Sequence, residues 1–293
     1  MILEGTIIKG IAGFYYVATE QNIYECKARG KFRNEDITPM IGDHVVIQIS
    51  SQETNTGSII DITPRKNLLI RPPVSNVDQV IIVFSIAQPD PNLYLLDRFL
   101  LLIEEQNLPA YICFNKVDLK YQNALIEMQE IYKKAGYDVI ITSTITKEGV
   151  SLLQNLLINK ITVFAGPSGV GKSSLLNEIQ PSLQLKTGDI SYKLKRGKHT
   201  TRHVELLPLE NGGYVIDTPG FTSMQINHLS IENLAYYYRE FQPYLSSCQF
   251  HHCSHIHEPS CGVKEAVKQG KITLQRYESY VSMYNEIQQQ RRW

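Results

Sequence analysis

The stretch Ile161-Thr-Val-Phe-Ala165-Gly166-Pro167-Ser168-Gly169-Val170-Gly171-Lys172-Ser173-Ser174 decides how this chain is read. An apolar, β-branched run predicts a buried strand over Ile161–Ala165. A glycine-rich turn then leads into a helix predicted over Lys172–Ile179. Gly-x4-Gly-Lys-Ser in that setting suits a phosphate cradle. The glycines let backbone N–H groups converge on phosphate oxygens, while the helix N-terminus adds unpaired donors and a favourable dipole. Lys172 is placed to bridge β- and γ-phosphates, and Ser173 to ligate Mg²⁺. The competing reading is a chance glycine-rich turn, which would not need a strand before it and a helix after it.

Upstream lies Asn115-Lys116-Val117-Asp118, directly after the predicted strand Ala110–Phe114. Ligands of open α/β sheets bind at such C-terminal strand ends. The Asp118 carboxylate can accept hydrogen bonds from guanine N1–H and its 2-amino group. Adenine offers neither, so an adenine nucleotide would leave that carboxylate unpaired, a discrimination of roughly 10⁴-fold or more. The Lys116 stem would cover the base and Asn115 would brace neighbouring loops. Alone this tetrapeptide reads as a surface turn, but paired with a phosphate loop in one sheet it reads as a base reader. Ser143, after the predicted strand Asp138–Thr142, is placed on the loop that would close over the guanine.

Downstream, Asp217-Thr-Pro-Gly220 follows the strand Tyr214–Ile216. Asp217 would hold Mg²⁺ through water, and the Gly220 N–H would meet the γ-phosphate. Gly197-Lys-His-Thr-Thr-Arg-His203 reads as a first switch, with Thr201, slightly ahead of Thr200, completing the Mg²⁺ shell. Between Lys186 and His203 there are six Lys or Arg residues against one acid, Asp189. That segment is either a solvated loop or a nucleotide-gated surface for phosphate-rich RNA. Phe221 stands where many GTPases carry a water-orienting glutamine, and it can neither orient nor deprotonate water. Slow intrinsic hydrolysis is expected unless His203, His199 or a partner's group acts instead. The base reader precedes the phosphate loop, whereas ordinary GTP-binding domains run the other way.

Around this core the chain divides into three predicted domains: residues 1–66, 67–226 and 227–293. The first reads as short strands near Gly5–Gly10, Phe14–Thr19, Tyr24–Arg29, His44–Ile49 and Ser58–Ile62. A five-stranded OB-fold barrel is expected, with an SH3-like barrel as the competitor. Arg65 through Pro73 reads as an extended linker, because paired prolines break regular structure. From Val77 strands and helices alternate, predicting a doubly wound α/β sheet, and Val204–Leu209 with Tyr214–Ile216 reads as a hairpin.

The last domain is predicted helical except at Cys248-x4-Cys253-x-His255-x5-Cys261. Three thiolates and an imidazole make a closed set suited to one structural Zn²⁺. His251, His252 and His257 compete for the imidazole position. Metal binding is expected to supply on the order of 10 kcal/mol to a segment with little core of its own. The remaining cysteines, Cys26 and Cys113, fall on apolar strands and read as packed.

Bulk properties bound the rest. A 293-residue chain that is 43% hydrophobic and 20% charged has room for several cores. Its formal net charge is zero, so attraction to nucleic acid must come from local patches. The apolar run Val80–Ala87 is too short to span a bilayer, and the N-terminus lacks the marks of a signal peptide. A cytoplasmic protein without membrane contact, acting as a monomer, is expected.

A barrel, a GTPase with its base reader before its phosphate loop, and a Cys-Cys-His-Cys knot together resemble the RsgA (YjeQ) family, over essentially the whole chain. The residues that carry the resemblance are Asn115, Lys116 and Asp118; Gly166 through Ser174; Asp217 and Gly220; and Cys248, Cys253, His255 and Cys261. Phe221 fits the apolar residue usual in that family. The resemblance implies a late maturation factor of the bacterial 30S ribosomal subunit, with GTP hydrolysis stimulated by the subunit. It also implies binding to 16S rRNA and conversion of GTP to GDP and phosphate.

Overall fold

The computed structural model describes residues 1–30, 32, 37–70, 72–119, 122–185, 204–217 and 224–290. Its N-terminal strands are β1 (Ile2–Ile11), β2 (Phe14–Ala18), β3 (Ile23–Ala28), β4 (His44–Ser51) and β5 (Thr56–Ile62). They close in the order β1-β2-β3-β5-β4, with β1 pairing back onto β4 and β3 running parallel to β5. Alternate residues fill the interior, so Ile7, Val17, Tyr24, Cys26, Val45, Ile47 and Ile59 form one buried cluster. Cys26 is a packed apolar residue; burial pushes its thiol up to about 11.

The segment expected to be an extended linker is instead tied down. It folds into a small antiparallel hairpin, β6 (Leu68–Leu69) with β7 (Val74–Ser75). Side chains satisfy the backbone that the prolines leave irregular. Asn76 Oδ1 accepts from Lys66 N at 2.8 Å, and Asn76 Nδ2 donates to Gly42 O at 2.9 Å in the barrel. Asp43, fully buried, accepts from Arg65 Nε at 2.7 Å and from Ser75 Oγ at 2.6 Å. The barrel is therefore fastened to this hairpin by buried polar contacts rather than strung on a free linker.

The central sheet has strand order β10-β9-β8-β11-β13-β12. These are β8 (Gln79–Ser85), β9 (Ala110–Asn115), β10 (Asp138–Thr142), β11 (Ile161–Ala165), β12 (Leu207–Pro208) and β13 (Tyr214–Asp217). The first five in that order are parallel, and β12 pairs antiparallel to β13 as the predicted hairpin. Period-two side chains send Val80, Ile82, Phe84, Ile112, Phe114 and Val163 to one face. There α1 (Leu93–Glu105) and α2 (Gln122–Lys134) cover them. Ile81, Val83, Cys113, Phe164 and Val215 face the other way, onto α3 (Val150–Leu157) and α4 (Lys172–Ile179). Apolar strands flanked by helices on both faces make this a doubly wound α/β layer.

The C-terminal region contains α5 (Gln242–Leu245), α6 (Gly262–Lys268) and α7 (Leu274–Gln290). Contrary to expectation it has a real core. Ile226, Leu229, Leu234, Tyr238, Phe241, Val263, Tyr280, Met283 and Ile287 pack together, and α1 contributes Leu101 and Leu102. Tyr238, Phe241 and Tyr280 stack pairwise with ring centroids 5.0–5.3 Å apart. The region leans on the α/β layer instead of depending on a metal alone.

Candidate functional site

The parallel strands bring the sequence-predicted residues to one edge. β9 ends in Asn115, β10 leads to Ser143, β11 leads to Gly166, and β13 ends at Asp217. β8 lies between β9 and β11, so the Asn115–Asp118 turn, the candidate base reader, and the glycine-rich turn flank its C-terminal end. This is the crevice where open α/β sheets take their ligands.

Side chains lock the two turns to each other. Asn115, 1% exposed, donates from Nδ2 to Val170 O at 2.9 Å, and its Oδ1 accepts from Thr142 Oγ1 at 3.0 Å. Cys113 Sγ lies 3.2 Å from the same hydroxyl; burial pushes that thiol up to about 12, so it stays neutral. Lys116 sits at φ +64° and donates Nζ to Gly169 O at 2.7 Å and to Gln88 O. Asp118 Oδ1 accepts from Ser143 Oγ at 2.6 Å, while that hydroxyl oxygen accepts from Ile145 N and Thr146 N, each at 3.1 Å. Ser143 is thus a fully buried brace behind Asp118. A carboxylate fixed this way presents its remaining lone pairs in one direction.

The glycine-rich turn is built for close approach. Gly171 has φ +95°, and a Cβ there would meet Asn115 Nδ2 at 2.4 Å; Gly166, at φ +134°, would drive one to 2.1 Å from Val83 O. Lys172 arches over the turn, donating Nζ to Gly166 O at 2.9 Å and Pro167 O at 2.7 Å. Ser173 and Ser174 open α4 behind it. Thr201, His203, Gly220, His199 and Phe221 lie outside the described residues, and for Asp217 only the strand placement is described.

A second cluster forms in the C-terminal region. One donor atom each from Cys248, Cys253, His255 and Cys261 falls within 4.8 Å of all the others. Cys248 Sγ lies 3.5 Å from His255 Nδ1 and 3.9 Å from Cys261 Sγ, and His255 Nδ1 lies 3.4 Å from Cys261 Sγ. A tetrahedral ion with bonds of about 2.3 Å to sulfur and about 2.0–2.1 Å to nitrogen needs edges of about 3.8 Å and about 3.6 Å. The donor set fits. Burial pushes the Cys253 thiol up to about 12, and a divalent cation at this point reverses that preference. His251, His252 and His257 are exposed and outside the cluster, so His255 is the imidazole that could hold a metal ion. His255 takes φ +60°; Tyr277 OH donates to its carbonyl at 2.7 Å, and Tyr280 OH donates to Ser254 O at 2.9 Å.

Two constellations escaped the sequence reading. One is the loop after β8, whose Gln88 carbonyl receives Lys116. The other is Arg276, 1% exposed, which donates to Asp97 at 2.6 Å and to Glu240 at 2.7 Å and 3.3 Å. An acid inside the apolar stripe of α1 was a signal for the second; nothing local marked its partner.

A family model described as RsgA GTPase matches residues 62–227, more than half the chain, and one described as RsgA N-terminal domain matches residues 4–59. The chain belongs to the RsgA GTPase family. Its relatives include the "Small ribosomal subunit biogenesis GTPase RsgA" of Alkaliphilus metalliredigens (strain QYMF), 52% identical over 290 residues and covering 99% of each chain. Among solved structures, "YloQ, a circularly permuted GTPase" is 41% identical, with TM-score 0.81 over 99% of this chain and 96% of that one. YjeQ from Thermotoga maritima is 38% identical, with TM-score 0.84 over 98% and 99%. The α/β layer is accordingly a circularly permuted GTPase, preceded by an OB-type barrel, and this RsgA-family chain is a GTP-hydrolysing enzyme. Among the described residues no helix is long and apolar enough to cross a membrane.

Proposed function

We propose that this GTPase acts in maturation of the small ribosomal subunit, binding 16S rRNA and hydrolysing GTP fastest on the 30S particle. The observation that carries the reading is the junction of Asn115–Asp118 with Gly166–Ser174 at adjacent strand ends. Full-length relatives named for small-subunit biogenesis supply the partner class.

In this reading Asp118, braced by Ser143, accepts from guanine, and the Lys116 stem covers the base. Pro167, Ser168, Gly169, Val170 and Gly171 turn their backbone toward the phosphates, and Val117 closes the base-reading turn. Lys172 exchanges its loop carbonyls for β- and γ-phosphate oxygens. Mg²⁺ would be held by Ser173, Asp217 and Thr201, and it would supply positive charge against the phosphate oxygens. Gly220 meets the γ-phosphate, and His203 or a group of the particle positions water. The three-thiolate, one-imidazole knot takes Zn²⁺ in a structural role, because the set leaves no open position. Residues 1–66, 67–226 and 227–293 are the barrel, GTPase and zinc-binding modules, in a cytoplasmic protein.

GTP turnover measured with and without purified small subunits tests the proposal. Stimulation by the particle is expected; equal rates overturn the partner. His203→Ala in the same assay assigns or dismisses that residue.

A further inference from the structure

Besides the base reader and the phosphate loop, a third loop reaches the crevice. It leaves β8, the strand between them, at Ser85 and runs through Gln88 and Pro89 to the cap of α1 at Asn92. Its first residue is tied to the base-reading turn, Ile86 N donating to Asn115 O at 3.1 Å. Ser85 is 1% exposed, and its hydroxyl donates to Pro89 O at 2.7 Å, closing the loop on itself. The closed loop presents Gln88 O to the Lys116 ammonium. Pro89 also faces the phosphate loop, since a Cβ on Gly169 would lie 3.6 Å from Pro89 Cδ.

Lys116 therefore spans three loops. Its backbone belongs to the base-reading turn, and its ammonium is divided between Gly169 O of the phosphate loop and Gln88 O. An ammonium has three protons and a flexible stem, so its direction is set by the carbonyls that receive it. One of those carbonyls belongs to the loop that Ser85 closes. We propose that Ser85 is a positioning residue for guanine-nucleotide binding, acting through the Gln88–Pro89 loop to hold the Lys116 stem in place. The inference rests on the nucleotide-site reading and adds to it a residue outside every phosphate- or base-binding motif.

A group that only pre-orients Lys116 contributes equally to substrate and transition state, so its loss raises KM and leaves kcat alone. The test is titration of the full-length protein with fluorescent GDP and a GTP analogue, alongside steady-state turnover. Ser85→Ala is expected to weaken both nucleotides about five- to tenfold, the effect of one hydrogen bond. Its kcat at saturating GTP stays within about twofold of the parent. Ser85→Thr, which keeps the hydroxyl, restores affinity. In a Lys116→Ala background the Ser85→Ala change adds nothing further, because the two act in one chain of contacts. Unchanged affinity in Ser85→Ala, or an equal loss with and without Lys116, overturns the proposal. Should alanine at 85 impair folding, Pro89→Gly loosens the same loop, with the same affinity-only loss expected and unchanged affinity counting against it. Absence of guanine-nucleotide binding by the parent protein would instead overturn the site reading itself.

Discussion

In the proposed nucleotide site, Asp118 would concentrate specificity in one carboxylate. Ser143 occupies one oxygen at 2.6 Å and holds the group still, so on this reading selectivity would follow from hydrogen-bond polarity rather than pocket size. Asp118→Asn exchanges an acceptor for a donor. Competition between GTP and XTP should shift toward xanthine by roughly 10²-fold or more, because xanthine carries a carbonyl where guanine carries an amine. Retained guanine preference would contradict the role. Lys172→Ala should lower nucleotide affinity and turnover together, since in the proposed site phosphate binding and charge stabilisation would both pass through that ammonium. These residues were legible because each motif is contiguous and the turn geometry is written in its glycines. Ser85 was not, since a serine ending a buried strand has many ordinary explanations.

At the scale of elements, α1 joins the modules. Its inner face packs on the sheet, Leu101 and Leu102 enter the C-terminal core, and Asp97 receives Arg276 from α7. Tyr132 OH on α2 donates to the same carboxylate at 3.0 Å, and the Tyr238 ring lies 4.6 Å from the guanidinium. Arg276→Ala would strand Asp97 and Glu240 without a counter-charge, a loss of about 3–5 kcal/mol. Chemical denaturation should report it, and a change within experimental error would dismiss the network as a stabiliser.

The same helix carries Arg98, which donates to Met224 O and, through Nη2, to Glu286 at 2.6 Å. Arg98's hydrogen bond and charge hold the Glu286 carboxyl below its ordinary value against the opposing effect of burial. The stabilisation is thus complete above the unfolded pKa of about 4.3 and is lost as pH falls through the lower folded value. Parent and Glu286→Gln proteins should differ in stability at neutral pH and converge only once pH has fallen below the lowered folded value. A gap that persists there would assign the effect to packing. The sequence predicted alternating strands and helices from Val77 and a largely helical last domain, but it did not pair residues so far apart along the chain.

Across the whole molecule, permutation decides which chain ends meet which modules. The chain leaving β13 passes Met224 and enters the C-terminal core at Ile226, under the hold of Arg98. The chain entering β12 is held to the barrel by Leu206 N donating to Ile8 O at 2.9 Å, and by Lys9 with Glu205 at 2.9 Å. Nucleotide-dependent change at Asp217 should therefore reach the metal-binding region. Hydrogen exchange over 224–261 is expected to differ between GTP-analogue and GDP states; identical protection would refute the wiring. Cys253→Ser should reduce metal content and loosen 242–290 first, leaving the sheet folded, because the sheet keeps apolar cores separate from the C-terminal one.

By itself the sequence determined the permuted motif order, the barrel strands, the helices of the α/β layer and the three cysteines of the candidate metal cluster. Each is encoded within a few residues by periodicity, glycine placement or ligand spacing. Tertiary structure alone decided that His255 and not its exposed neighbours joins the cysteines, and that Arg65, Ser75 and Asn76 dock the barrel. It also placed Ser85, Gln88, Asp97 and Arg276 in networks. Those choices depend on hydrogen bonds and ion pairs between segments far apart in the chain. Their partners come within about 3 Å only after apolar burial has stacked the layers, so no local pattern records them.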